Sequence, residues 1–118
     1  HIVLLSNDLD SCKQEFGAGG IGIRLALDKT TPAWGGRMLF FRAGQCTLEV
    51  IENREDNQDT DFLWGIAYRC TNIEKTLSIL DENGVRHSNI REGRKKGTIV
   101  STIKSHNLGL PTLLLESV

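Results

Sequence analysis

Two glutamates of this chain sit in runs where a carboxylate is out of place. Glu49 lies inside Cys46-Thr47-Leu48-Glu49-Val50-Ile51, and Glu116 closes Thr112-Leu113-Leu114-Leu115-Glu116. A glutamate near a strand end usually faces solvent, but Glu49 shares its alternation face with Thr47 and Ile51. A carboxylate among apolar groups is suited to taking and returning a proton. Arg24, Arg37, Arg42 and Arg69 fall on other strand-like runs, where an arginine either pairs at the surface or grips a carboxylate or phosphate. Trp34, Phe40, Phe41, Trp64 and Tyr68 supply core or the wall of a ligand cleft. The turn Arg94-Lys95-Lys96 reads as solvated more readily than as an anion-grasping loop. Cys12, Cys46 and Cys70 have neither C-x-x-C spacing nor an evident paired histidine. That argues against cysteine nucleophiles and a disulfide framework, and for a reduced, cytoplasmic setting.

The elements that must position these groups come in two copies. The segment from His1 to Asp10 is echoed by the segment from Gly65 to Glu74, an offset of 65 − 1 = 64 residues. Matching the two glutamates gives 116 − 49 = 67. Each copy reads as a strand, a helix and about three more strands. In the first, Asn7-Asp8 caps a helix over 9–16 that Gly17-Ala18-Gly19-Gly20 stops. Ile21, Ile23, Leu25 and Leu27 then alternate as a half-buried strand, and strands over 37–42 and 45–52 follow. In the second, Thr71-x-x-Glu74 has the form of a capping box. Ile73, Leu77 and Leu80 mark one helical face, Asn83-Gly84 ends the helix, and residues 85–91 and 98–104 are strand-like. A unit of this size buries too little of its own sheet face and is expected to pair with its twin. The expectation is one domain over 1–118: module one 1–52, a polar linker 53–61 and module two 62–118.

Composition narrows the function. With 14 basic and 15 acidic residues the net charge is −1, which provides no electrostatic footprint for nucleic acid or an anionic membrane. No run approaches the roughly 20 apolar residues of a bilayer span, and no signal-peptide pattern is present. The chain begins on His rather than Met and is expected to start inside a longer one.

Duplication, element order and motif positions together resemble the vicinal oxygen chelate superfamily, the glyoxalase, bleomycin-resistance and extradiol-dioxygenase group. The resemblance covers essentially the whole chain, and the segment 31–41 with Leu110-Pro111-Thr112-Leu113-Leu114 is similar to a glyoxalase-like branch. It implies an α+β fold of two paired βαβββ modules forming a curved mixed sheet around a cleft. It also implies a divalent metal (Zn, Ni, Mn or Fe) held from the first and last strands of each module. In this sequence those positions are His1, Glu49, Gly65 and Glu116; three can bind metal, and Gly65 stands where the glyoxalase pattern has a second histidine.

The leading expectation is a metal-dependent lyase or isomerase acting on a small organic substrate. His1, Glu49 and Glu116 lie at the metal, Glu49 or Glu116 is the proton-transfer base, and Trp34, Arg37, Phe41, Trp64 and Tyr68 contact the ligand. The alternative is a metal-free binding or sequestering protein of bleomycin-resistance type, in which Gly65 opens space and Trp34, Trp64 and Tyr68 stack on the ligand. A structural relative without activity is the third. The resemblance also implies a homodimer, the commonest oligomer.

Overall fold

A computed structural model of the chain describes residues 1–34, 36–53 and 61–118, Trp34 by its backbone alone. Most of the expected linker, 54–60, lies outside the described residues. The fold is α+β, with two α-helices and eight strands among the described residues, and the chain divides into two compact units, His1–Trp64 and Gly65–Val118. None of these helices is long and apolar enough to cross a membrane.

The first unit runs β1 (Ile2–Ser6), α1 (Leu9–Phe16), β2 (Arg24–Thr31), a 3-10 turn (Pro32–Trp34), β3 (Gly36–Ala43) and β4 (Cys46–Glu52). Its strands lie in the order β2-β3-β4-β1, with β1 parallel to β4 and the other pairs antiparallel. Asp8 caps α1 by accepting from the Ser11 N–H at 3.0 Å, as a residue of this type before a helix should. Leu9 and Cys12 of α1 pack on Leu39, Phe41 and Val50, and Phe16 meets the Phe41 ring edge-on at 5.8 Å. The alternation expected from Ile21 starts later, at Arg24, because Ile21 and Gly22 close a turn onto the end of α1 through Glu15 O and Gly17 O.

The second unit runs from β5 (Phe62–Arg69, which begins just before the division) through α2 (Ile73–Glu82), β6 (Arg91–Glu92) and β7 (Thr98–Ile103) to β8 (Thr112–Ser117). Its order is β5-β8-β7-β6, with β5 parallel to β8. Ile73 and Leu77 pack on Ile103 and Leu114, flanked by Leu80 and Ile99. The helix cap falls one residue beyond Thr71: Asn72 Oδ1 accepts from the Lys75 N–H at 3.0 Å. The strand expected over 85–91 shrinks to a bridge at His87 and the two-residue β6. Ser88 breaks the ladder, its hydroxyl taking the Thr102 N–H at 2.8 Å and Arg91 Nη1 at 3.0 Å.

Charged side chains tie each helix to the strands beside it. Arg37 grips Asp28 with Nε and Nη2 at 2.9 and 2.8 Å, Lys13 of α1 meets the same carboxylate at 3.0 Å, and Arg37 Nη1 reaches Asp10 at 2.7 Å. The Arg37 hydrogen bonds, followed by that of Lys13, hold Asp28 well below the usual carboxylate range. A depressed folded value contributes stability that is present above the unfolded value and is lost as pH falls through the folded one. Asp28→Asn is therefore expected to cost about 1.5 kcal/mol near neutrality, the scale of a charged hydrogen bond in a partly exposed setting. The difference from wild type should shrink towards about pH 2, read by urea denaturation at both ends.

In the second unit His87 Nδ1 lies 2.8 Å from Ser88 O and Nε2 lies 2.7 Å from Asp81 Oδ1. Only the protonated ring donates to both acceptors, so the Ser88 carbonyl, then Asp81, pushes its pKa above the ordinary value, against burial and Lys104. Stability from a raised value is present below the unfolded pKa of about 6.5 and is lost as pH rises through the folded one. Thermal melts of His87→Gln should lose this pH dependence while wild type keeps it.

Candidate functional site

Strand register sorts the site from the core. In the first unit Val3 and Phe40 are both in register with Glu49, and Leu27 is in register with Phe40. Partners in register share a face, and successive residues alternate. Leu4, Leu39, Phe41, Leu48 and Val50 therefore face α1, and Glu49 stands on the opposite face among Val3, Leu27 and Phe40. Along β4 it is flanked by Thr47 and Ile51, as the sequence alternation predicts.

The Glu49 side chain is 16% exposed, and His1 Nδ1 lies 3.7 Å from its Oε2. That distance is an electrostatic contact, too long for a hydrogen bond. The two residues are brought together because β1 runs parallel to β4 in a register that places Val3 beside Glu49, so that His1 begins at the same end of the sheet. Further along the same face Arg24, Arg42 and Thr47 are in register, and Arg42 Nη1 donates to the nearly buried Thr47 hydroxyl at 2.7 Å. The arrangement offers a half-buried carboxylate, an imidazole beside it, apolar walls, and cations two residues away.

The second copy places other residues at the equivalent positions. Its parallel pair has Ala67 beside Leu113 where the first has Val3 beside Glu49, so the spatial offset is 113 − 49 = 64, equal to 65 − 1. Leu113 is the counterpart of Glu49. The 67-residue offset that matches Glu116 to Glu49 slips the register by an odd number and changes face. Glu116 is in register with Ile99 on the α2 face, and its Oε2 accepts the Ile73 N–H at 2.7 Å, satisfying a free donor of the first helical turn.

The expected ligand contacts fare similarly. Phe41 is fully buried beneath α1, where it completes the core, and Arg37 faces α1 with its guanidinium engaged by Asp28 and Asp10. Tyr68, 55% exposed, is in register with Leu114 on the α2 face; Trp64 is 47% exposed and shares that alternation. The side chain of Trp34 lies outside the described residues. Sequence reasoning did not pick out Val3 and Leu27 as neighbours of Glu49; the strand partnership that puts them in its row has no local signature.

Gly65 has a packing reason. A Cβ there would sit 3.0 Å from the Pro111 carbonyl oxygen, which accepts the Ile66 N–H at 2.9 Å. The space above Gly65 is thus filled by backbone, not left open for a ligand. Among the described residues no group of three or more His, Cys, Asp or Glu side chains is arranged to hold a metal ion. His1 and Glu49 supply two donors, fewer than the three of a typical catalytic zinc site.

A family described as "Glyoxalase/Bleomycin resistance protein/Dioxygenase superfamily" matches residues 1–102. No curated protein matches the chain in sequence. Solved structures match it along its full length. A hypothetical protein from Bacillus halodurans C-125 is 19% identical with a TM-score of 0.72, 92% of that chain being covered. Methylmalonyl-CoA epimerase from Mycobacterium tuberculosis is 16% identical with a TM-score of 0.68 over 86% of its chain. A Streptomyces coelicolor methylmalonyl-CoA epimerase in complex with 2-nitronate-propionyl-CoA is 16% identical with a TM-score of 0.64 over 95%. At these identities the likeness is one of fold.

Because the Pro111 carbonyl is held by its own hydrogen bond, Gly65→Ala is expected to destabilise the protein by about 1–2 kcal/mol, as overpacking does. Gly65→His should do so at least as strongly without gaining zinc affinity. Chemical denaturation and zinc titration of both variants test this.

Proposed function

The chain belongs to the glyoxalase/bleomycin resistance protein/dioxygenase superfamily, and on that premise we propose that it is an enzyme that moves a proton on a small organic substrate, with Glu49 as the base. The observation that carries this reading is the half-buried Glu49 carboxylate on an apolar sheet face beside His1. A carbon next to a carbonyl, seated on that face, gives its proton to a Glu49 carboxylate oxygen. Val3, Leu27 and Phe40 reduce the water that competes for the carboxylate. His1 keeps the carboxylate oriented and, when protonated, offsets its charge. Return of the proton to the same carbon gives epimerisation, and return to a neighbouring atom gives isomerisation. Epimerases among the structural neighbours fit this class of chemistry.

A divalent ion polarises the substrate carbonyl where the superfamily uses one. His1 and Glu49 alone do not make up the donor set of a resident ion, so no step here passes through a metal. Glu116 is not used as a ligand, since its carboxylate caps α2. The same short donor set favours the second reading, metal-free binding of a small molecule. In either reading the protein acts as a cytoplasmic homodimer, which light scattering at high concentration checks.

The test is deuterium incorporation in D₂O, followed by NMR, with methylmalonyl-CoA, dihydroxyacetone phosphate and the hemithioacetal of methylglyoxal and glutathione as probes. Wild type should exchange at least one of them, and Glu49→Gln should slow that exchange by about 10²–10⁴-fold, the range of a lost general base. Binding of a probe without exchange would replace the enzyme reading with the binding one. Calorimetry with Zn²⁺, Ni²⁺, Mn²⁺ and Fe²⁺ in the same samples decides the metal question.

A further inference from the structure

Arg24 and Arg42 stand directly opposite each other across the β2/β3 pair, on the face that carries Glu49. Like charges at directly opposed strand positions repel. Neither is ion-paired among the described residues, whereas Arg37, on the other face of β3, is fully matched by Asp28 and Asp10. Arg42 is moreover held in place: its Nη1 donates to Thr47 Oγ1 at 2.7 Å, and Thr47 is 8% exposed. One N–H of five is thereby committed, and the planar fork keeps donors for a second partner.

The positions are also spaced for a substrate. Phe40 is the direct partner of Glu49, and Arg42 is two residues further along β3, the diagonal neighbour. Diagonal neighbours lie roughly 7–8 Å apart at their Cα atoms, within reach of long side chains. An oxyanion taken by the arginines would leave a carbon two or three bonds away next to the Glu49 carboxylate.

We propose that Arg24 and Arg42 form an oxyanion-binding site, and that the substrate of this face is a small carbonyl compound carrying a carboxylate or a phosphate. The substrate assignment rests on the reading of Glu49 as the base; the anion site does not. The anion relieves the repulsion of the opposed cations, and Arg42, already oriented by Thr47, binds it with little loss of side-chain freedom.

The experiment is an NMR titration of the full chain with succinate, inorganic phosphate and, as the neutral control, succinamide, read on the Arg42 Nε–H and the amides of β2 and β3. Succinate or phosphate should bind and succinamide should not, and the tighter anion names the group carried by the substrate. Arg24→Gln, at an exposed strand start, and Arg42→Gln should each weaken the anion about fivefold, the weight of one unit charge at contact distance in water. Glu49→Gln should keep or strengthen anion binding while it removes proton exchange, so the anion site and the base are tested separately. Should succinamide bind as well as succinate, or Arg24→Gln bind both anions like wild type, the proposal is overturned. If Arg42→Gln does not fold, Arg24→Gln alone decides.

Discussion

A strand commits each of its residues to one of two faces, and in both units the parallel pair fixes that commitment for the rest of the sheet. β1 beside β4 places Val3 against Glu49, and β5 beside β8 places Ala67 against Leu113. A shift of one residue in β4 would send Leu48 and Val50 away from α1 and turn Glu49 into the core, where an unpaired carboxylate is costly. The apolar residues that α1 buries thus hold the register that presents Glu49. The same packing that stabilises the unit positions this carboxylate, and the charged grip of Arg37 and Lys13 on Asp28 fastens the helix to it.

Much of this architecture was legible because it is written in local patterns. The repeat, both helices, the apolar stripe Ile73-Leu77-Leu80 and the alternation around Glu49 follow from period and capping chemistry, and all reappear in the structure. The site was legible in part. His1 and Glu49 come together, but Glu116 does not belong to the pattern Glu49 belongs to, because matching residue types across the copies gave an offset of 67 where the ladders require 64. Three residues is an odd slip, and an odd slip reverses the face. Phe41 and Arg37, expected as ligand contacts, lie on the face opposite Glu49 for a related reason: each is an odd number of residues from Phe40 and so faces α1. Short-range polar competition was equally invisible. Ser88 takes the place of a ladder partner through its hydroxyl, which is why the strand expected over 85–91 survives only as fragments.

The glycine at the position of His1 shows how an absence can mislead. Read by residue type, Gly65 is a missing ligand or a vacancy for a substrate. Its surroundings give another cause: the chain before β8 comes so close that the Pro111 carbonyl oxygen, which accepts the Ile66 N–H, would lie only 3.0 Å from a Cβ. Backbone contact of this kind selects glycine regardless of chemistry.

With the copies aligned at 64, the division of labour between them becomes clear. On the helix-bearing faces Val50 in one unit answers to Leu114 in the other, both buried, while Leu4 answers to the exposed Tyr68. The polar pair is not repeated at all, for His1 and Glu49 answer to Gly65 and Leu113. The Glu49–Phe40–Leu27 row and the Arg24–Arg42–Thr47 row both lie in the first unit, while in the second unit Glu116 is spent on the N-terminus of α2. A carboxylate that caps a helix is bound by the geometry of that helix and cannot turn to a ligand without releasing the N–H it satisfies. On the proposed reading the base is therefore the glutamate of the first unit, which stands on the sheet face opposite α1.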